Sequence, residues 1–255
     1  MEKAIKSLGQ NFLKNKEIVN KMVDLLGIRA NFNIIEIGPG PGVFTTAIVK
    51  KLDNTNTFYA IDLDERFVNN LKARYRDKSN IQIIHANFLD WSRNVGVAGP
   101  TLMLGAIPYY ITSPIIHNII KMVNKPESVV LMVQKEVAEK ITETRVNPNY
   151  FSVFIKTFYD IKYIDTVSKF EFTPVPKVDS AIIQMALKQA PQGISDIYKY
   201  ENFLHLGFQH QKKMLNKVFK PAILQKLGIP ETDRPHNLDV ATWIKLFDEF
   251  YKENK

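Results

Sequence analysis

The residues best suited to chemistry begin at Glu36-Ile37-Gly38-Pro39-Gly40-Pro41-Gly42. Glycine tolerates positive φ and lets a ligand approach the backbone closely. A glycine loop that leads into a helix presents N–H groups and a positive helix end to a nucleotide-like ligand. An ordinary tight turn would use glycine too, but three alternating glycines behind an acid favour the ligand. Asp62 stands about 20 residues beyond them, where an acid at a strand tip accepts hydrogen bonds from ribose hydroxyls. Asp64 is better placed to cap the next helix. Asn87 ends a third strand and either faces a ligand or bonds nearby backbone. In Pro108-Tyr109-Tyr110 the proline fixes a turn, from which a ring either stacks on a planar base or enters the core.

The charge balance suggests the partner. With 34 Lys and Arg against 26 Asp and Glu, the net charge of +8 favours an acidic partner such as nucleic acid. The stretch from Phe208 to Lys217 is expected to bring Lys213, Lys217 and Lys220 near one helix face, with Lys212 beside them. Such a face is either solvated or a contact for RNA phosphates, and Lys177 in a stiff proline loop is open to the same choice. The absence of cysteine excludes disulfides, thiolate metal sites and a cysteine nucleophile. The five histidines show no ligand spacing, so no metal is expected, and His85 reads as strand packing. No apolar run approaches the roughly 18 residues that span a bilayer, and the start lacks the apolar core of a signal peptide. The cytoplasm is the expected location.

The elements that must position these residues follow from apolar patterning. Strands are expected at 33–37, 57–64, 81–87, 101–107, 128–134, 162–167 and 180–187, and helices at 16–26, 43–52, 65–76, 111–123 and 151–159. The alternation predicts a parallel, doubly wound sheet with the last two strands as a hairpin-like edge. Composition changes near Gln189-Ala190-Pro191-Gln192-Gly193, beyond which the pattern is helical with prolines as punctuation. This gives two expected domains, 1–189 and 190–255.

Five motifs in order, Gly-Gln-Asn-Phe-Leu at 9–13, Glu-Ile-Gly-Pro-Gly at 36–40, Ile-Pro-Tyr at 107–109, Gln-Lys-Glu-Val-Ala at 134–138 and Phe-Thr-Pro-Val-Pro-Lys-Val-Asp-Ser at 172–180, carry a resemblance over nearly the whole chain. The sequence resembles the ribosomal RNA adenine dimethyltransferases, and the last two motifs are more similar to the small-subunit branch than to the large-subunit branch of macrolide resistance. The resemblance implies a Rossmann-like class I methyltransferase with a seven-stranded sheet and a small C-terminal helical domain that binds RNA. It implies S-adenosylmethionine as cofactor, N6-dimethylation of adenines in 16S ribosomal RNA and a role in ribosome biogenesis, and nothing in the sequence demands more than a monomer. Asn11 and Leu13 would border the methionine end, Gly38 and Gly40 would meet the cofactor through their backbone, and Asp62 would hold the ribose. Asn87 falls where the family usually has aspartate, and its amide oxygen can still accept a hydrogen bond from the cofactor's adenine amine. Tyr109 matches the ring that stacks on the target base, and Pro108 the residue beside which a backbone carbonyl accepts from the amine. Ala106 departs from the family's Asn-(Leu/Ile)-Pro-(Tyr/Phe) pattern. Losing one such preorganised acceptor costs on the order of 2.7–4 kcal/mol, roughly a hundred- to a thousand-fold in rate. A slow enzyme, a non-catalytic assembly factor that binds ribosomal RNA, and a small-molecule methyltransferase are the three rival expectations. The basic residues argue against the last.

Overall fold

A computed structural model describes residues 5, 9–94, 97–142, 148–189 and 194–253. The chain enters through β1 (Phe12–Leu13) and α1 (Lys16–Leu26). Asn15 starts α1 by accepting from the Glu17 and Ile18 N–H groups, and Gly27 ends it at φ 69°. Its apolar stripe of Val19, Met22, Val23 and Leu26 is buried.

Alternation of strand and helix then builds β2 (Asn33–Ile37), α2 (Val43–Val49), β3 (Thr57–Asp62), α3 (Glu65–Tyr75), β4 (Ile81–His85), α4 (Phe88–Asn94), β5 (Thr101–Ala106), α5 (Thr112–Lys121), β6 (Ser128–Gln134) and α6 (Lys135–Thr142). α7 (Tyr150–Phe158), β7 (Tyr159–Val167), β8 (Phe172–Thr173) and β9 (Ser180–Leu187) follow. The seven-stranded sheet has the order β4-β3-β2-β5-β6-β9-β7. The β2–β3, β3–β4, β2–β5 and β5–β6 pairs are parallel, and β9 runs antiparallel to β6. The last two strands are therefore neighbours at one edge, as the sequence predicts, with the later one on the inside. The central strands are near-continuous apolar runs because both faces are covered, as in Leu102, Met103 and Leu104 or Val129 to Val133. β1 and β8 form a separate antiparallel pair. This is the expected Rossmann-like fold. Strand order reverses between β2 and β5, which opens a crevice at their carboxyl ends.

The chain divides into two compact units, residues 1–138 with 162–187, and residues 139–161 with 188–255. The second therefore takes in α7 besides the C-terminal residues that the sequence assigns to it. The expected linker at 189–193 lies, apart from Gln189, outside the described residues. Within the second unit, α8 (Ile197–Phe208), α9 (Pro221–Lys226) and α10 (Val240–Glu253) gather an aromatic core around Phe203, Phe208, Phe219, Trp243 and Phe247. Asn149 and Ser152 form a capping box that starts α7, and Thr157 meets the Tyr200 hydroxyl at 2.9 Å. The expected basic helix face does not form. Residues 208–220 are not one helix: α8 stops at Phe208, a turn follows, and a short 3-10 segment spans Leu215–Lys217. The break lets Leu215 and Phe219 enter the aromatic core, which a continuous helix set by its basic face would not allow. Among the described residues no helix is long and apolar enough to cross a membrane.

Candidate active site

The cavity at the carboxyl ends of the strands, about 1220 Å³ with its open mouth included, gathers residues from five loops. Gly38, Gly40 and Asn11 line it together with Leu13, Asp62, Asn87, Ala106, Pro108 and Tyr109. The structure thus brings together every residue that the resemblance assigned to cofactor and target base.

The glycine loop is built tightly. Gly38, Gly40 and Gly42 all have positive φ, at 66°, 53° and 85°. A Cβ on Gly42 would lie 2.6 Å from Leu71 Cδ2, whereas one on Gly38 would meet nothing within 4 Å. Gly42 is thus fixed by packing against α3, while Gly38 borders open space. The loop's N–H groups are spent internally, which corrects the expectation that they face a ligand. Gly38 donates to the Ile61 carbonyl at 2.9 Å, Gly42 to the Pro39 carbonyl at 3.0 Å, and Gly40 to Asp62 Oδ2 at 2.8 Å. These bonds hold the turn shut, and the Gly38 and Gly40 carbonyls stay free of hydrogen bonds among the described residues. The loop therefore offers acceptors, which suit ammonium and hydroxyl donors.

Asp62 is buried, and its second oxygen accepts from the Asp64 N–H at 2.8 Å. Burial raises its pKa, and the N–H groups of Asp64 and Gly40 oppose that rise. Each carboxylate oxygen keeps a further lone pair, so the group can still accept from hydroxyls. Asp64 caps α3 through the Arg66 N–H, and the Arg66 guanidinium holds its carboxyl down at about 2. Gln10 reaches across the cavity rim to Asp64 Oδ2 at 2.8 Å, and its own oxygen accepts from the Ile5 N–H. Gly9 packs under Tyr110 and Pro108, where a Cβ would come within 3.1 Å of the Tyr110 ring and 3.2 Å of the proline. The contact of Gln10 with Asp64 spans 54 positions and had no signal in the sequence. Phe12 sits edge-on to Phe67 at 5.6 Å, and β1 is held by β8. That pairing keeps Asn11 and Leu13 at the cavity wall.

Asn87 accepts from the Leu89 N–H at 2.9 Å, which starts α4, so the backbone reading of this residue is realised. One lone pair of that oxygen remains for a donor in the cavity. Ala106 ends β5 with no polar side-chain atom. Next to it the Ile107 carbonyl accepts no hydrogen bond among the described residues. Pro108 begins a 3-10 turn, Tyr109–Ile111, that leaves Tyr109 half-buried and Tyr110 exposed. The Tyr109 hydroxyl bonds Ser180 Oγ at 2.8 Å, which fixes its ring, and burial raises its pKa. Lys177 is exposed on the loop between β8 and β9, while Lys212, Lys213 and Lys217 are exposed on the second unit. His85 is exposed at the end of β4, with a ring nitrogen 3.1 Å from the Leu63 carbonyl, so the expected packing role is corrected: a strand-end position leaves the ring to bond backbone in solvent.

Glu36, legible in the sequence as the acid ahead of the glycine loop, had no role assigned to it there. It is fully buried behind the glycine loop, bonded to the Thr45 hydroxyl at 2.7 Å through one oxygen, with the other oxygen unpartnered. Burial, with a smaller push from Asp62, raises its pKa to about 8, against the Thr45 hydrogen bond. Phe172 and Ser180, which also line the cavity, were legible only as members of a motif.

Comparison with known proteins identifies the family. The ribosomal RNA small subunit methyltransferase A of Sulfurihydrogenibium is 35% identical over 95% of this chain and 94% of its own length. The protein of the same name from Persephonella marina is 33% identical, covering 96% of this chain and 92% of that one. The crystal structure of a dimethyladenosine transferase from Plasmodium falciparum superposes with a TM-score of 0.80 at 24% identity, covering 95% and 98% of the two chains. Residues 1–252 match the family described as "Ribosomal RNA adenine dimethylase". Matched over almost its whole length, this chain belongs to the ribosomal RNA adenine dimethylase family.

Proposed function

We propose that this protein transfers methyl groups from S-adenosylmethionine to the exocyclic amine of adenines in small-subunit ribosomal RNA, during ribosome biogenesis in the cytoplasm and as a monomer. The observation that carries the reading is the convergence on one cavity of the glycine loop, Asp62, Asn87 and the Ile107-Pro108-Tyr109 turn, in a chain of this family. The names of the two relatives support the small subunit as substrate.

The donor set fits the cofactor. The free Gly38 and Gly40 carbonyls suit the ammonium of its methionine end, beside Asn11 and Leu13. Asp62 suits the ribose hydroxyls, and the Asn87 oxygen suits the adenine amine. When bound, S-adenosylmethionine supplies an electrophilic methyl on a sulfonium. Tyr109, locked by Ser180, gives a flat surface for an adenine that has left its stack. The Ile107 carbonyl accepts one amine hydrogen, which draws the nitrogen towards a pyramidal, nucleophilic form. Most of the acceleration is positioning in a site from which water is displaced.

Ala106 withholds the second acceptor. Ala106→Asn is expected to raise methyl incorporation into unmethylated small subunits by about a hundred- to a thousand-fold. A chain as active as its Ala106→Asn variant would overturn this account of the site. The same residue favours a second reading, a factor that binds ribosomal RNA without turnover. Tight subunit binding with methyl incorporation absent in the native chain would select that reading. Lys177, Lys212, Lys213 and Lys217 are proposed to contact RNA phosphates, and binding through them weakens as salt rises.

A further inference from the structure

Exposed apolar side chains gather around one opening of the first unit. Of the nine large hydrophobics that stand exposed among the described residues, Phe170 stands on the 3-10 turn Lys169–Glu171 just before β8, Val175 and Val178 stand on the loop between β8 and β9, and Leu63 and Tyr110 line the cavity itself. Phe170 is the extreme aromatic case, 68% exposed. It sits on a firm base. Its N–H donates to the Ser168 hydroxyl, the Lys169 N–H donates to Asp179 Oδ1 at 2.9 Å, and the Glu171 carbonyl accepts from the Lys14 N–H at 2.9 Å. Two residues on, Phe172 is already cavity wall, and Asp179 adjoins Ser180, which holds Tyr109. The Lys169 ammonium lies 5.4 Å from the Phe170 ring centroid, within cation–π range. Lys14 and Lys177 are exposed on the same pair of segments. An aromatic ring held out in water, backed by a cation and flanked by lysines, matches the chemistry of a base stacked above its phosphates.

We infer that Phe170 is a stacking platform for an RNA base that flanks the adenine entering the cavity, with Lys169 and Lys177 facing the neighbouring phosphates. This rests on the RNA reading above and adds a contact outside the reaction centre. An adenine that enters the cavity leaves its neighbour unstacked, and a ring at the rim offsets that loss.

The test compares Phe170→Ala and Phe170→Trp with the native chain. The probes are unmethylated small subunits, a single-stranded oligoadenylate, and heparin as a polyanion without bases. Phe170→Ala is expected to bind both RNA probes about tenfold or more weakly, with S-adenosylmethionine affinity unchanged by calorimetry. Phe170→Trp is expected to bind like the native chain and to lose fluorescence on adding RNA but not heparin, against a constant background from the buried Trp91 and Trp243. Native affinity in Phe170→Ala, or an unquenched signal in Phe170→Trp with RNA bound, overturns the platform alone. A native chain that binds neither RNA probe overturns the RNA reading itself, and the platform with it.

Discussion

Glu36 is a carboxyl group that its own burial keeps protonated through much of the neutral range. Its pKa, raised from 4.5 to about 8, means that the folded protein holds a proton which the unfolded chain releases. The stabilisation is complete below about pH 4.5 and is lost as pH rises through about 8. Glu36→Gln places a neutral group of the same shape against Thr45 and removes the titration. Calorimetric melting between pH 5 and 8 should therefore fall more steeply for the native chain than for the variant, and parallel curves would refute the assignment. The acid was visible in the sequence, but its state was not, because that depends on the tertiary burial around β2. Tyr109 and Ser180 show the same limit. Both lie in recognisable motifs, yet their hydrogen bond joins residues 71 positions apart. Ala106 is the opposite case, since one missing acceptor is fully legible from residue type once the motif around it is read.

At the scale of elements, packing decides where pattern is silent. Gly207 lies inside α8, where alanine would usually gain about 1 kcal/mol as the better helix former. A Cβ there would come 2.4 Å from Trp243 Cη2 and 2.7 Å from Cζ3, and overpacking costs about 1–3 kcal/mol. The overlap wins because Trp243 is fully buried and cannot swing aside. Gly207→Ala should lower stability in urea titrations by up to about 2 kcal/mol, and a stabilised variant would refute that balance. The sheet strands were legible because apolar runs of strand length lie between turn residues. The end of α8 was not, since basic residues at helical spacing carry no sign that Leu215 and Phe219 are drawn into a core. The position of β9 inside the sheet also escaped the sequence, because partner choice is non-local.

On the scale of the whole molecule, the path of the chain sets what can be removed. The chain leaves the first unit, contributes 139–161 to the second, returns for 162–187, and leaves again. Phe154 and Phe158, both buried, pack against Tyr200 with ring centroids 6.4 and 6.3 Å away. A chain cut after Leu187 keeps α7 but strips it of α8 and α10. Such a fragment should aggregate or bind hydrophobic dyes, and a soluble monomer that unfolds cooperatively would contradict this. A second cut that removes α7 as well would have to be bridged.

The inside position of β9 also has a consequence in time. A chain made from its N-terminus completes β6 well before Ser180 exists, so a nascent protein carries an apolar strand edge with no neighbour on one side. An unpaired edge of this kind invites pairing with other chains. The interval of risk runs from Gln134 to Leu187, and the speed of translation through that stretch sets how long each new molecule is vulnerable.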